Sequence, residues 1–496
     1  MAQGNGNNLW VALQGERFFI EKGSEKHYFK TLFEIQLGRY KPVRAIVNTG
    51  RRIMGFTLKD ILHNKARHLL HIETDPGLGC TEPAAIGLCA AAAAALLEET
   101  DIESIEVATD PNIYKNAMGV MIPASGGQSG IPLAAAMGAV SGNPKNGLQI
   151  FSTVDKQGVE NAESLLKKGK VSAGIEEGHD GLYVKTVVKA GGHTAEAVIT
   201  GRHDHIESLS MDGSLQQDHP LLTGSGSEEL SVEELEPWLT SLFLEEMVDL
   251  SNDLNRDDAA YIQRGIDLNM SLVRYGFSHG PGLGVGKTQQ SLLRQGLLKN
   301  DMVLAGGMFA AAGIDSRMGG VMLPAMTLAG SGNQGIAAGT PIVAASEFAV
   351  IEDNLLLIKS VTLSYLVTCY IKTLAGRIGP LCGSAVAGGA GVAAGVTYLL
   401  GGTVEKIGGA IKNHIENTAT LLCDGAKTSC ALKVGEAASS GVKSALMALQ
   451  GTVVKPVDGI IGQSPEETMG NLGKLVRSGL GGMDPAILNI MLKKCL

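Results

Sequence analysis

The sequence predicts an α+β fold: a mixed α/β N-terminal part followed by a largely all-α, Gly/Ala-rich C-terminal part. Alternating strand patterns lie between Ser104 and Thr200 and nearly vanish after His279. Long stretches of Ala, Gly, Leu and Met remain beyond that point, punctuated by Gly-rich loops. The composition agrees, because 66 glycines and only 4% aromatics leave small side chains to do much of the packing. A chain of 496 residues favours two or three domains. The division expected here is an N-terminal extension at 1–56, a mixed α/β domain at 57–275 and a mainly helical domain at 276–496.

The elements follow in order. Residues 1–54 are rich in Lys, Arg and aromatics, carry no motif and read as an appended segment. Leu58 to Leu70 is an amphipathic helix. Ala84 to Glu98 is an Ala-rich helix with Thr81 as its N-cap. Ser104–Thr109 and Gln149–Val154 read as strands. Gly181–Val188 and Thr194–Thr200 alternate around Gly191-Gly192 and predict a hairpin. Glu207–Glu229 is polar and Ser-rich, a surface loop, and Val232–Leu250 is a strongly amphipathic helix. No internal repeat is evident.

Composition also limits the function. A net charge of −9 and the lack of any basic run with interleaved aromatics argue against a nucleic-acid partner. Seven cysteines are too few, and odd in number, for a disulfide framework. The first residues lack the pattern of a signal peptide, so a reducing cytoplasm is expected. Ile378–Val404 and Met318–Ser346 carry no charge, but their Gly content favours buried helices over membrane spans. No membrane association is expected, and a homo-oligomer stays open.

Four motifs could carry chemistry. Cys382, Cys423 and Cys430 come first, the last two as a C-x6-C pair. Three thiolates can hold an iron–sulfur cluster and leave one iron without a protein ligand, a Lewis acid. Zinc is the competing reading, with His414 nine residues before Cys423, and simple burial of the thiols is another. Second, Gly77-Leu78-Gly79-Cys80-Thr81-Glu82-Pro83 stands at a helix start, where free amides suit a carboxylate and would lower the pKa of Cys80. Third is Asn112-Ile113-Tyr114-Lys115-Asn116 with the Ile122–Pro132 loop after it. Fourth is Ser331-Gly332-Asn333-Gln334-Gly335, downstream of Asp315-Ser316-Arg317-Met318. The two Gly-rich loops match neither the P-loop nor the dinucleotide fingerprint. Nothing around Lys287 supports a pyridoxal-phosphate lysine.

Taken in order, these segments resemble the L-cysteine desulfidase family, the UPF0597 group, a distant relative of the iron–sulfur L-serine dehydratases. The matching pieces are Gly79-Cys80-Thr81-Glu82-Pro83, Tyr114-Lys115-Asn116, Arg317-Met318-Gly319-Gly320 and Ser331-Gly332-Asn333-Gln334-Gly335. They continue through Tyr370-Ile371-Lys372, Leu381-Cys382-Gly383, Cys423-Asp424-Gly425-Ala426-Lys427 and Cys430-Ala431-Leu432-Lys433, so that roughly residues 57–492 are covered.

The resemblance implies a lyase that breaks L-cysteine into pyruvate, ammonia and hydrogen sulfide, with an oxygen-sensitive [4Fe-4S] cluster and no pyridoxal phosphate. It implies that Cys382, Cys423 and Cys430 are the cluster ligands and that Cys80 is the active-site cysteine. Thr81, Glu82, Asn116, Ser331, Gly332, Asn333 and Gln334 are then the expected contacts of a small amino-acid substrate. Cys80, Lys115 and Lys372 are the candidate bases. The chain departs from the family pattern at Ser384, where a second cysteine commonly follows, and residues 1–54 have no counterpart. Cys495, near the C-terminus, invites the idea that the tail reaches the open iron, as in related serine dehydratases; a frayed terminus with an idle thiol is the reading set against it. The competing readings are an L-serine dehydratase on the same scaffold, a membrane channel or transporter, and a cluster-bearing sensor without turnover.

Overall fold

In the computed structural model, residues 8–13, 16–21, 31–35, 43–47, 58–98, 101–179, 181–222 and 232–494 are described. The chain divides into two units, Met1–Asn64 and Lys65–Leu496. The first contains two antiparallel hairpins, Asn8–Leu13 with Glu16–Glu21 and Thr31–Ile35 with Val43–Val47, where the sequence suggested no elements.

The second unit begins within the helix Leu58–Glu73. Its mixed part is built on a six-stranded sheet in the order Ser214–Leu215, Ile206–Met211, His193–Thr200, Tyr183–Ala190, Ile102–Thr109, Val171–Ile175. Only the last pair is parallel. The expected hairpin is present and turns at Gly191-Gly192. The Ala-rich helix Thr81–Ala94 packs on the two hairpin strands. Its Cys89 thiol approaches the Ala197 carbonyl at 3.2 Å, a structural contact. On its other side the helix crosses Ile131–Ser141 so closely that a Cβ on Gly138 would stand 2.1 Å from the Gly87 carbonyl oxygen.

The second half is helical, as predicted. Gly383–Leu399 is its centre, packed against Gly332–Phe348, Asn354–Ala375, Val404–Thr418 and Cys430–Leu449. Small residues make this possible. A Cβ on Gly391 would lie 2.4 Å from Thr368 Oγ1, and one on Gly395 2.4 Å from Ile342 Cδ1. The uncharged stretches are thus interior helices, Gly332–Phe348 and Gly383–Leu399, with nearly every residue buried. One described helix, Asn354–Ala375, is long and apolar enough to cross a membrane, and most of it is buried within the fold.

Four local expectations fail. Gln149–Val154 is not a strand but the end of a 3-10 segment, Pro144–Thr153. Asn143 caps it, Gly147 bends it with φ +51°, and Phe151 packs against Gly87, which an apolar alternation cannot foretell. Val232–Leu250 is two helices, Val232–Ser241 and Leu244–Asn252. The second starts where the Glu246 carboxylate accepts the Phe243 amide at 2.8 Å. The polar stretch from Glu207 supplies sheet-edge strands rather than loop, while 223–231 lie outside the described residues. The N-cap of the Ala-rich helix is Cys80 rather than Thr81, whose hydroxyl turns to the Glu82 carboxylate instead.

Candidate active site

Gly79, with φ +71°, turns the chain into the Ala-rich helix and lies against Pro123. The helix therefore starts in the interior, and Cys80, Thr81 and Glu82 are all buried. Cys80 donates its S–H to Glu82 Oε2 at 2.8 Å, and Thr81 Oγ1 donates to the same oxygen at 3.2 Å. Asn116, from the helix Pro111–Ala117, donates its Nδ2 to Glu82 Oε1 at 2.9 Å. Burial alone would push the Glu82 carboxyl up. The facing His203, the Cys80 donor and Arg317 outweigh it and hold Glu82 below the usual carboxylate range. Cys80 behaves oppositely to the sequence expectation. Burial first and the Glu82 charge second push its thiol well above the usual value, so the helix start does not make it a thiolate.

Ser331-Gly332-Asn333-Gln334 opens the helix Gly332–Phe348, and the Ser331 side chain makes no capping bond. Arg317 Nη1 donates to Asn333 Oδ1 at 2.9 Å, and Gln334 Nε2 donates to the Leu328 carbonyl at 2.9 Å. A Cβ on Gly383 would sit 2.1 Å from Gln334 Oε1 and 3.1 Å from Lys372 Nζ. The fourth motif and Lys372 thus meet at the residue next to Cys382. Burial pushes the Lys372 amine down to about 8, against the opposing influence of Cys423 and Cys382. Lys372 also lines a cavity of about 1610 Å³, together with Asp110, Arg377, Pro380 and Asp484.

The cysteine trio is gathered by backbone pairing. The Cys382 amide donates to Leu421 O at 2.9 Å and the Cys423 amide to Pro380 O at 2.7 Å, fastening the two cysteine segments side by side. Cys382 is the N-cap of Gly383–Leu399, and Cys430 opens Cys430–Leu449. The three cysteines are half-buried residues that line one cavity of about 790 Å³. They feel one another: burial, then Cys423 and Cys430, push the Cys382 thiol up to about 12. Lys433 and Lys427 stand beside them. Among the described residues no three His, Cys, Asp or Glu side chains close around a single metal ion. A four-iron cluster spreads its thiolates over separate corners, and three thiols around one cavity with adjacent cations suit such a group.

The remaining predicted residue, Lys115, is fully buried and ion-paired with Asp484 at 2.5 Å. Its backbone carbonyl touches the cysteine loop, since a Cβ on Gly425 would lie 2.7 Å from Lys115 O. Cys80 shares an apolar cluster with Met318 and Ile336, against which Cys382 and Cys430 pack. Motifs some 300 residues apart therefore converge.

This convergence accords with what the chain is similar to. A family model described as serine dehydratase alpha chain matches residues 145–489. The chain belongs to that family. A UPF0597 protein of Desulfatibacillum aliphaticivorans is 46% identical over 443 residues, 89% of this chain and 99% of the relative. Another, from Desulfotalea psychrophila, is 44% identical over 86% of this chain and 98% of its own. A UPF0597 protein of Clostridioides difficile is 35% identical over 85% of this chain and 98% of its own length. Membership supports a lyase of the serine dehydratase type.

Two buried residues of this family member were not singled out as site residues from the sequence. Arg317 belongs to the Arg317–Gly320 motif, yet only the fold shows its guanidinium turned to Asn333. Its signal was an Arg in an otherwise apolar helix, Met302–Met318, with Asp315 its only charged companion. His203 stands in a turn after the sheet hairpin, and no pattern flags it. Burial pushes its imidazole below the usual value, against the pull of the facing Glu82.

Proposed function

We propose that the chain is an iron–sulfur-dependent lyase that converts L-cysteine and water to pyruvate, ammonia and hydrogen sulfide. Cys382, Cys423 and Cys430 are the residues that would hold a [4Fe-4S] cluster. Such a cluster, with an iron lacking a protein ligand, supplies a Lewis acid that makes sulfide a better leaving group. The observation that carries the reading is the meeting of the thiol trio, the Lys372 amine and the Ser331–Gln334 helix start around Gly383.

The residues divide the work. Lys372 Nζ, brought toward neutrality by burial, takes the α-proton. Cys80 is held as a thiol and Lys115 is engaged by Asp484, so neither competes well for that role. The electron pair left by the α-proton forms the Cα–Cβ double bond as the Cβ–S bond breaks. The released aminoacrylate tautomerises to an imine, which water hydrolyses to pyruvate and ammonia. Thr81, Glu82, Asn116, Asn333 and Gln334 orient the amino acid at the two helix starts. The domain division at 57–275 and 276–496 and a cytoplasmic setting belong to the same reading.

The family match favours a second reading, L-serine dehydration on the same residues. Anaerobic reconstitution with iron and sulfide, followed by turnover of L-cysteine and L-serine in parallel, separates the two. The expected result is a brown protein that releases sulfide and pyruvate from L-cysteine faster than it forms pyruvate from L-serine. Cys382→Ala should lose both colour and turnover, and a colourless, fully active Cys382→Ala would sink the proposal.

A further inference from the structure

Arg317 is 2% exposed, yet most of its hydrogen-bonding capacity is unused. Nη1 donates to Asn333, while Nε and Nη2 are buried and have no partner. Among the described residues no carboxylate lies within ion-pair distance of it. A guanidinium offers five N–H donors, and a buried one is ordinarily paired. Its plane lies against the start of the helix Gly332–Phe348, because a Cβ on Gly332 would stand 2.2 Å from Nε and 2.7 Å from Cζ. That helix runs 17 residues, and its N-cap side chain makes no bond, so its first amides add to the positive field.

Facing it is a buried anion. Glu82 is 8% exposed and accepts from Cys80, Thr81 and Asn116, three bonds against the roughly four sites of a carboxylate. Arg317 is close enough to help hold the Glu82 carboxyl ionised, but the two make no salt bridge. Asn116 Oδ1 and His203 Nε2, both buried in the same surroundings, also lack partners. A cation and an anion are thus kept apart in the interior, each with hydrogen-bonding capacity left over. A bound molecule that carries both charges on adjacent groups completes them.

We propose that Arg317 and Glu82 form a recognition pair for the zwitterion of a free α-amino acid. Arg317 takes the α-carboxylate through Nε and Nη2, and Glu82, with Asn116 Oδ1, takes the α-ammonium. Only the identity of the amino acid rests on the lyase reading. The pair excludes amines without a carboxylate, acids without an ammonium, and peptides with a blocked terminus, since each leaves one buried charge unmatched.

The test is binding to the reconstituted holoprotein, followed by calorimetry, with L-alanine, propionate and ethylamine as probes. L-alanine has no leaving group at Cβ, so binding is read without turnover. L-alanine should bind, and propionate and ethylamine should each bind roughly 10- to 100-fold more weakly. Arg317→Gln should weaken L-alanine by a similar factor and leave ethylamine unchanged. Glu82→Gln should weaken L-alanine and leave propionate unchanged. Propionate binding as tightly as L-alanine, no detectable L-alanine binding, or undiminished L-alanine binding by folded Arg317→Gln overturns the proposal. Should Arg317→Gln fail to fold, the three probes on the unaltered protein decide alone. L-alanine binding without turnover of L-cysteine or L-serine sinks the lyase reading and leaves the zwitterion pair standing. Turnover with undiminished L-alanine binding by Arg317→Gln does the reverse.

Discussion

His414 offers a quantitative test of how the cysteine-bearing helix is held. It lies on Val404–Thr418, completely buried, with Nε2 3.1 Å from the Ala385 carbonyl and Nδ1 3.3 Å from Ser440 Oγ. Ala385 stands in the first turn of the helix that Cys382 caps. In the neutral ring Nε2–H donates to Ala385, and Nδ1 accepts from Ser440. Burial pushes the imidazole down to about 4 from the ordinary 6.5, although the Ala385 and Val386 carbonyls favour the cation. The folded value lies below the unfolded one, so this contribution is fully present above pH 6.5 and is lost as pH falls toward 4. At about 1.4 kcal/mol per pH unit, the loss reaches about 3 kcal/mol. Urea unfolding of the metal-free protein and of His414→Gln at pH 7.5, 6, 5 and 4.5 reads it. The variant is less stable at pH 7.5, and the gap should close by about 3 kcal/mol toward pH 4. A gap that stays constant across this range would refute the argument, because every other titrating group cancels in the difference.

Other outcomes follow from the same geometry. Lys372→Arg replaces a titratable amine with a group that keeps its proton, so turnover should drop by about 10²- to 10⁴-fold with little change in KM. The unaltered enzyme should gain rate with pH up to a plateau above about 8, where burial has put the amine's pKa; a flat profile would remove Lys372 from the role of base. Asp484→Asn leaves the Lys115 ammonium buried without its anion and should cost about 3 kcal/mol. Hydrogen exchange should then rise first in Met483–Leu492, the helix that this ion pair fastens to Pro111–Ala117. Cys495 lies outside the described residues, but Met491 approaches the cysteine loop: its Cε is 3.1 Å from where Gly425 would carry a Cβ. Deleting Cys495 and Leu496 tests the tail: a shifted visible spectrum of the reconstituted protein supports a contact with the cluster, and an unchanged spectrum disposes of it.

What was legible in the sequence had a short-range physical cause. The hairpin around Gly191-Gly192 was readable because alternation and a two-glycine turn are local, and the helical second half because alternating strand patterns nearly vanish from it. The segment at Gln149–Val154 misled because Ile150 and Phe151 are buried for reasons that lie in another helix, at Gly87. The electrostatics of Cys80 misled similarly. A helix start lowers a thiol pKa when the thiol faces solvent or cations, but this one is desolvated and donates to Glu82. The substrate motifs were visible as motifs, whereas the state of each group depended on burial, which only packing sets. Arg317 is the extreme case: the sequence places it in a motif but gives it no role, and its two idle donors become visible only in three dimensions.

The competition between zinc and an iron–sulfur cluster also turns on packing rather than spacing. A structural zinc site closes with four protein ligands, whereas a catalytic metal keeps one position open. His414 was the nearest candidate for a fourth ligand by sequence. Both of its ring nitrogens are committed, to Ala385 and to Ser440, and burial favours its neutral form there as a strut of the Cys382 helix. The trio thus has no fourth His or Cys partner among the described residues. Lys372, a base candidate, instead stands one glycine away from Cys382. A set of three thiols beside a buried amine, in a fold that also buries Arg317 and Glu82 without pairing them, suits a metal group with an open position. A closed structural ion would leave the amine, Arg317 and Glu82 without purpose. The contact between Lys115 O and Gly425 fastens the cysteine loop to the helix Pro111–Ala117, whose Asn116 donates to Glu82.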